Sequence, residues 1–158
     1  MLVPDDMIPA AVEFCIKETP GCGTAEEAVA ALKSGDPVLN SRLRQAIARD
    51  AAGYLSGLFG SRIKAARLYG SAAEYNACVH SDIDIVILVA ELPENLGQVI
   101  ADLDRILSRS YCRLLGEDED EWSYLLDVHI INEDPRESRQ PSMAYLEHIF
   151  MNGSVAVG

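Results

Sequence analysis

The run Asp82-Ile83-Asp84-Ile85-Val86-Ile87-Leu88-Val89 constrains the fold more than any other stretch of the chain. Beyond Asp84 the residues are apolar at every position, so a strand here carries hydrophobic side chains on both faces. That is the pattern of an interior strand covered on both sides by other layers. Two carboxylates lead into it, and burying them at the mouth of an apolar strand is costly unless something binds them. Because side chains alternate along a strand, Asp82 and Asp84 share one face while Ile83 and Ile85 enter the other.

The remaining segments supply the covering layers. Leu43, Ile47, Ala51, Tyr54, Leu55 and Leu58 recur at helical steps and predict a helix over about 41–59, closed by Gly60. Upstream, Pro9 is expected in the first turn of a helix over AAVEFCIKE. Thr24 and Glu27 of TAEE fit a capping box opening a second helix, which stops at the turn cluster Ser34-Gly35-Asp36-Pro37. RIKAARLYG and YLLDVHII read as further strands, and an amphipathic helix over 93–115 lies between the second and third strands. GEDEDE reads as a solvated loop, Pro135 and Pro141 bracket another loop, SMAYLEHIF suggests a last helix and SVAVG a short final strand. The expectation is an α/β (α+β) structure, a small mixed sheet flanked by helices, in one domain over 1–158. Residues 1–39 form a helical N-terminal extension to a core over 41–158.

Charge narrows the partners. With 25 acidic against 13 basic residues the formal net charge is −12. Such a chain repels polyanions, which argues against DNA or RNA as a general ligand. A small anion remains accessible where metal ions neutralise it locally. Cys15, Cys22, Cys78 and Cys112 contain no C-x-x-C pair and read as reduced thiols of a cytoplasmic protein. The acidic start MLVPDDMIPA does not read as a signal peptide, and no apolar run is long enough to span a bilayer.

Two adjacent carboxylates repel, and one tends to protonate unless a cation intervenes. Mg²⁺ suits such a site, since it takes hard oxygen ligands from one or two carboxylates together with substrate phosphates. A third carboxylate would permit two metals, and Asp127, an isolated acid in the apolar strand LLDVHII, is the candidate. Gly70-Ser71 supplies the complementary part. Glycine allows close backbone approach, and serine can open a helix whose free N–H groups face an anion. Ser71 and Glu74 of SAAE also fit a capping box, a structural role compatible with the first.

L-Y-G-S, a spacer of nine residues between Ser71 and Ser81, S-D-I-D-I-V-I-L-V and a later strand aspartate together resemble the minimal nucleotidyltransferases of the DNA polymerase β superfamily. The resemblance implies that family's fold and its chemistry, transfer of a nucleoside monophosphate from a nucleoside triphosphate to a hydroxyl acceptor with release of pyrophosphate. It assigns Asp82, Asp84 and Asp127 to the metals, Mg²⁺ or Mn²⁺, as a two-metal site. Gly70, Ser71 and Ser81 fall at the nucleotide, with ATP the first choice, and Asp127 also helps deprotonate the acceptor. It further implies a small-molecule or protein acceptor and a helical protein partner, such as the toxin for which the nucleotidyltransferase is the antitoxin.

One segment departs from the family. In place of a pattern like G-S-x-A-R-G this chain has Glu74 and Tyr75 where arginine and glycine stand. Losing a cation beside a triphosphate weakens binding. Lys64 and Arg67 are the candidates to compensate. The departure carries the alternative reading, a degenerate fold acting as a binding or regulatory subunit. A D-x-D glycosyltransferase is disfavoured by the short chain and by Gly-Ser. For His129, which shares a face with Asp127, an ordinary polar strand position competes with orienting Asp127 or an acceptor. His80 has the same two readings, and for His148 the case for a role is weaker. Arg105, Arg109 and Arg113 read as a solvated helix face, Tyr54, Tyr75, Tyr111 and Trp122 as packing residues, and Cys78 as inert.

Overall fold

The computed structural model describes residues 1–119, 124–133, 148 and 154–157. Three helices come first: α1 over Pro4–Glu18, α2 over Ala25–Lys33 and α3 over Pro37–Phe59. A short 3-10 turn, Gly60–Arg62, leads into β1 over Ile63–Tyr69, followed by the single turn α4 over Gly70–Ala73. Then come β2 over Ile83–Val89, α5 over Leu96–Leu115, β3 over Leu126–Asn132 and β4 over Val155–Val157. Trp122, the Pro135–Pro141 loop and the expected last helix, His148 apart, lie outside the described residues.

Helix starts differ from expectation for identifiable reasons. α1 begins at Pro4, which takes the first-turn position expected of Pro9, and Asp5 and Asp6 follow it where negative charge meets the positive helix end. Pro9 therefore lies inside the helix. α3 begins at Pro37, because Asp36 caps it: Oδ1 accepts from the N–H groups of Val38 and Leu39, both at 3.0 Å. The turn cluster is thus also a helix start. In α2 Thr24 is the cap, accepting from the Glu27 N–H, while Glu27 reaches back to the N–H of Gly23 instead of Thr24.

The sheet order is β3-β2-β1-β4. β1 runs antiparallel to both β2 and β4, and β2 runs parallel to β3, with α5 as the crossover between them. One face carries Ala66, Leu68, Ile83, Ile85, Ile87, Val89 and Leu126, all buried. Each large aliphatic there contributes about 1.5–3 kcal/mol on burial. α3 lies along β1, β2 and β4, and α1 packs on α3 and α5, so the first helix shares the core of the sheet layer. The mixed sheet flanked by helices agrees with the expected fold class.

Candidate active site

Residues of the opposite sheet face build the site, at the end where β1 stops and β2 and β3 start. Asp84 pairs in register with Asp127 on β3 and with Tyr69 on β1. Asp82, one residue before β2, falls on the same face by alternation. Ligand oxygens of Asp82, Asp84 and Asp127 lie within 4.8 Å of one another, and all three residues are half-buried. Nothing in local sequence joins Asp127 to the other two; the parallel β2–β3 register does.

Crowding shows in the titration of Asp84. Burial first, then the charges of Asp82 and Asp127 and a hydrogen bond shared with Asp127, push its carboxyl up to about 6, with His129 opposing. Hard oxygen donors held close together against their own repulsion fit a divalent cation such as Mg²⁺. Beside them His129 Nε2 stands 3.2 Å from Asp127 Oδ1, which realises the orienting geometry open to that histidine. Tyr124 is exposed at the approach to β3, and the charges of Asp82 and Asp127 push its hydroxyl pKa up.

Gly70 closes the site from the β1 side. Its φ is +73°, and a Cβ added there would run into the Asp84 carboxylate, reaching 3.1 Å from Cγ with an oxygen nearer still. Only glycine permits this approach. Ser71 lies inside the turn of α4 and does not cap it; the capping position is Tyr69, with no side-chain bond. Glu74 ends that turn, its N–H bonded to the Gly70 carbonyl. Ser81 Oγ is engaged locally, accepting from the Cys78 N–H at 2.9 Å and lying 3.3 Å from its sulfur.

Tyr75 is not a packing residue. It is 47% exposed with φ +61°, the left-handed conformation a glycine would hold there without strain. A tyrosine thus holds a glycine-like backbone at the position where the resembling pattern has glycine. The two cations expected to compensate stand at different places on β1. Lys64 stands at the far end of β1, bonded to Glu133 at 2.7 Å, and Arg67 binds the hydroxyl and carbonyl of Ser154. The α5 arginines pair with Asp102 and Glu119 and are solvated, as expected. His80 binds Glu117, which gives the acidic loop a structural contact. Cys78 is exposed, and the Ser81 hydroxyl hydrogen bond lowers its pKa. A cleft of about 390 Å³ between Phe14, Arg49, Leu68, Tyr75 and Val155 includes none of the carboxylates.

Two residues escaped sequence reading although each left a signal. Arg44 is fully buried and donates to the Ser81 and Val79 carbonyls, just before Asp82. It lies inside the apolar stripe of α3, one residue beyond Leu43. Asp104, beside Leu103 on α5, accepts from the N–H groups of Leu125 and Leu126 at 2.8 and 2.7 Å and so fixes the start of β3. An acid or base in an apolar stripe was the available clue in both cases.

The family model described as Polymerase beta, Nucleotidyltransferase matches residues 58–140, just over half of the chain. The chain belongs to this family. The match runs from the end of α3 through β3 and takes in Gly70, Ser71, Ser81 and all three aspartates, within the broader 41–158 span of the resemblance. Among curated proteins none matches the chain. No helix of the described residues is long and apolar enough to cross a membrane.

Proposed function

We propose that this polymerase β family member is a Mg²⁺-dependent nucleotidyltransferase, using ATP by preference, that moves a nucleoside monophosphate onto an acceptor hydroxyl. The observation that carries the reading is the convergence of Asp82, Asp84 and Asp127 beside a glycine whose missing side chain leaves room for the Asp84 carboxylate. Asp82, Asp84 and Asp127 would hold the metal ions, with Mn²⁺ an acceptable substitute. Bound there, divalent ions neutralise the triphosphate and the departing pyrophosphate.

The chain's own contribution is mostly positioning. Gly70 and Ser71 offer the triphosphate an unobstructed backbone at the end of β1. Asp127, held by His129, accepts the proton of the acceptor hydroxyl as its oxygen bonds to the α-phosphorus. The bond between the α-phosphorus and the bridging oxygen breaks, and pyrophosphate leaves with the electron pair. Ser81 serves the nucleotide indirectly, its hydroxyl bound into the turn that precedes Asp82. The acceptor is a small molecule or a protein that reaches Tyr69, Tyr124 and His129, and a helical toxin partner fits this reading.

Tyr75 and Glu74 favour a second reading, a nucleotide-binding subunit without turnover. Thermal unfolding with ATP, GTP, CTP and UTP, with and without Mg²⁺, tests both against Asp84→Asn. A ligand at a hundred times its dissociation constant adds about 2.7 kcal/mol, roughly 5–10 °C for a chain of this size. The expected result is a Mg²⁺-dependent rise with ATP that Asp84→Asn abolishes. No rise with any nucleotide would sink the transferase reading, and a rise without transfer to any acceptor would favour the binding subunit.

A further inference from the structure

Among the described residues the buried polar or charged side chains are Asn40, Ser41 and Arg44, all near the start of α3. Ser41 and Arg44 bond the segment between α4 and Asp82, and Asn40, tied to the Leu32 and Asp36 carbonyls, accepts from Arg44. Ser41 Oγ accepts from the Ala77 N–H at 3.1 Å. The Arg44 guanidinium donates through Nε to the Ser81 carbonyl at 2.8 Å and through Nη2 to the Val79 carbonyl at 2.9 Å. Its remaining bonds go to the Tyr111 hydroxyl and to the carbonyl and Oδ1 of Asn40. Tyr111, itself fully buried on α5, donates its hydroxyl proton to the same Val79 carbonyl at 2.7 Å.

A buried cation is a poor way to gain stability, since apolar residues of similar volume often do as well or better. What the guanidinium offers is a rigid planar fork that fixes two carbonyls at a set spacing, which a lysine ammonium cannot do. The Ser81 carbonyl belongs to the peptide group that joins Asp82. A shift there moves the Asp82 carboxylate relative to Asp84 and Asp127, whose own positions are set by the β2–β3 register.

We propose that Arg44 is a positioning residue that places Asp82 against Asp84 and Asp127 and thereby sets the divalent-metal affinity of the cluster. The inference rests on the metal-binding reading of the three aspartates. Tyr111 is its partner, holding the Val79 carbonyl from α5.

Mn²⁺ binding to the full chain, read by electron paramagnetic resonance with folding checked by circular dichroism, tests it without any acceptor. Arg44→Lys should weaken Mn²⁺ binding about 10- to 100-fold, the range found when groups supporting metal ligands are removed. Tyr111→Phe should weaken it less. Leu55→Ala, a core truncation elsewhere in α3, should lower the melting temperature and leave Mn²⁺ affinity at the parent value. Parental affinity in Arg44→Lys, or an equal loss in Leu55→Ala, overturns the inference and leaves the metal reading standing. A parent that takes up no Mn²⁺, or keeps its uptake in Asp82→Asn, overturns both. Should Arg44→Lys not fold, Tyr111→Phe decides by the same criterion.

Discussion

In metal-free solution Asp84 registers first its burial and then the charges of Asp82 and Asp127. Its folded pKa stands near 6 against an ordinary 3.8, so between those values the folded protein keeps a proton that the unfolded chain has released. Stability therefore falls as pH rises through this window, and the penalty is complete above it. Discounted for solvent screening at a half-buried group, it is about 1–2 kcal/mol. With EDTA present, Asp84→Asn should melt higher than the parent at pH 8 and no higher at pH 4. A constant difference across that range would mean that the folded chain does not hold the Asp84 proton more tightly than the unfolded chain does. Tyr75 gives a second test. Relieving its positive φ with Tyr75→Gly should stabilise by about 1 kcal/mol, a rise of roughly 2–4 °C in a calorimetric melt. An unchanged or lower melting temperature would show that the tyrosine holds the turn by contacts worth more than the strain. The glycine pattern was legible in sequence at this position, but the strain was not, because φ belongs to the fold.

At the scale of elements, the site depends on where β3 begins. Asp104 of α5 accepts two backbone N–H groups there, and removing the carboxylate leaves both without that partner. Asp104→Ala should cost about 2–4 kcal/mol in a urea titration. Nucleotide affinity should fall beyond what Asp104→Asn, which keeps one acceptor oxygen, produces. Equal nucleotide binding in both variants would separate the start of β3 from the site. The strands could be read from apolar patterning because the pattern reflects burial on the very faces the sheet uses. Helix starts were less legible. Asp36-Pro37 serves a turn and a cap with the same two residues, and Pro4 and Pro9 both satisfy the first-turn rule. Asp82 and Asp84 could be paired from period-two alternation. Asp127 could be named as their third partner from its isolation in an apolar strand and from the family resemblance, and the parallel register supplies the contact. The clamps Arg44 and Asp104, by contrast, needed the packing of α3 and α5 against loops far away in sequence.

For the whole molecule, the question is whether the first helices are an appendage or part of the core. The family match begins at residue 58, yet α1 buries Met7, Ile8, Ala11, Val12 and Cys15 against the layer that supports the sheet. Burial of Met7, Ile8 and Val12 alone contributes about 1.5–3 kcal/mol each, a sum comparable to the 5–15 kcal/mol that holds a typical domain folded. α1 also packs on both helices that carry the clamps, α3 with Arg44 and α5 with Asp104 and Tyr111. Its removal should therefore act on the site through the same layer. A chain lacking residues 1–22 is expected to lose its cooperative thermal transition and, with it, any Mg²⁺-dependent nucleotide shift. Nuclear magnetic resonance of the truncated chain would decide. Dispersed signals for β2 and β3, with the parent's response to ATP and Mg²⁺, would make α1 a detachable cover and confine the functional unit to the matched family region with its supporting α3. Collapsed signals would mean that the sheet of this chain needs a helix the family match does not include.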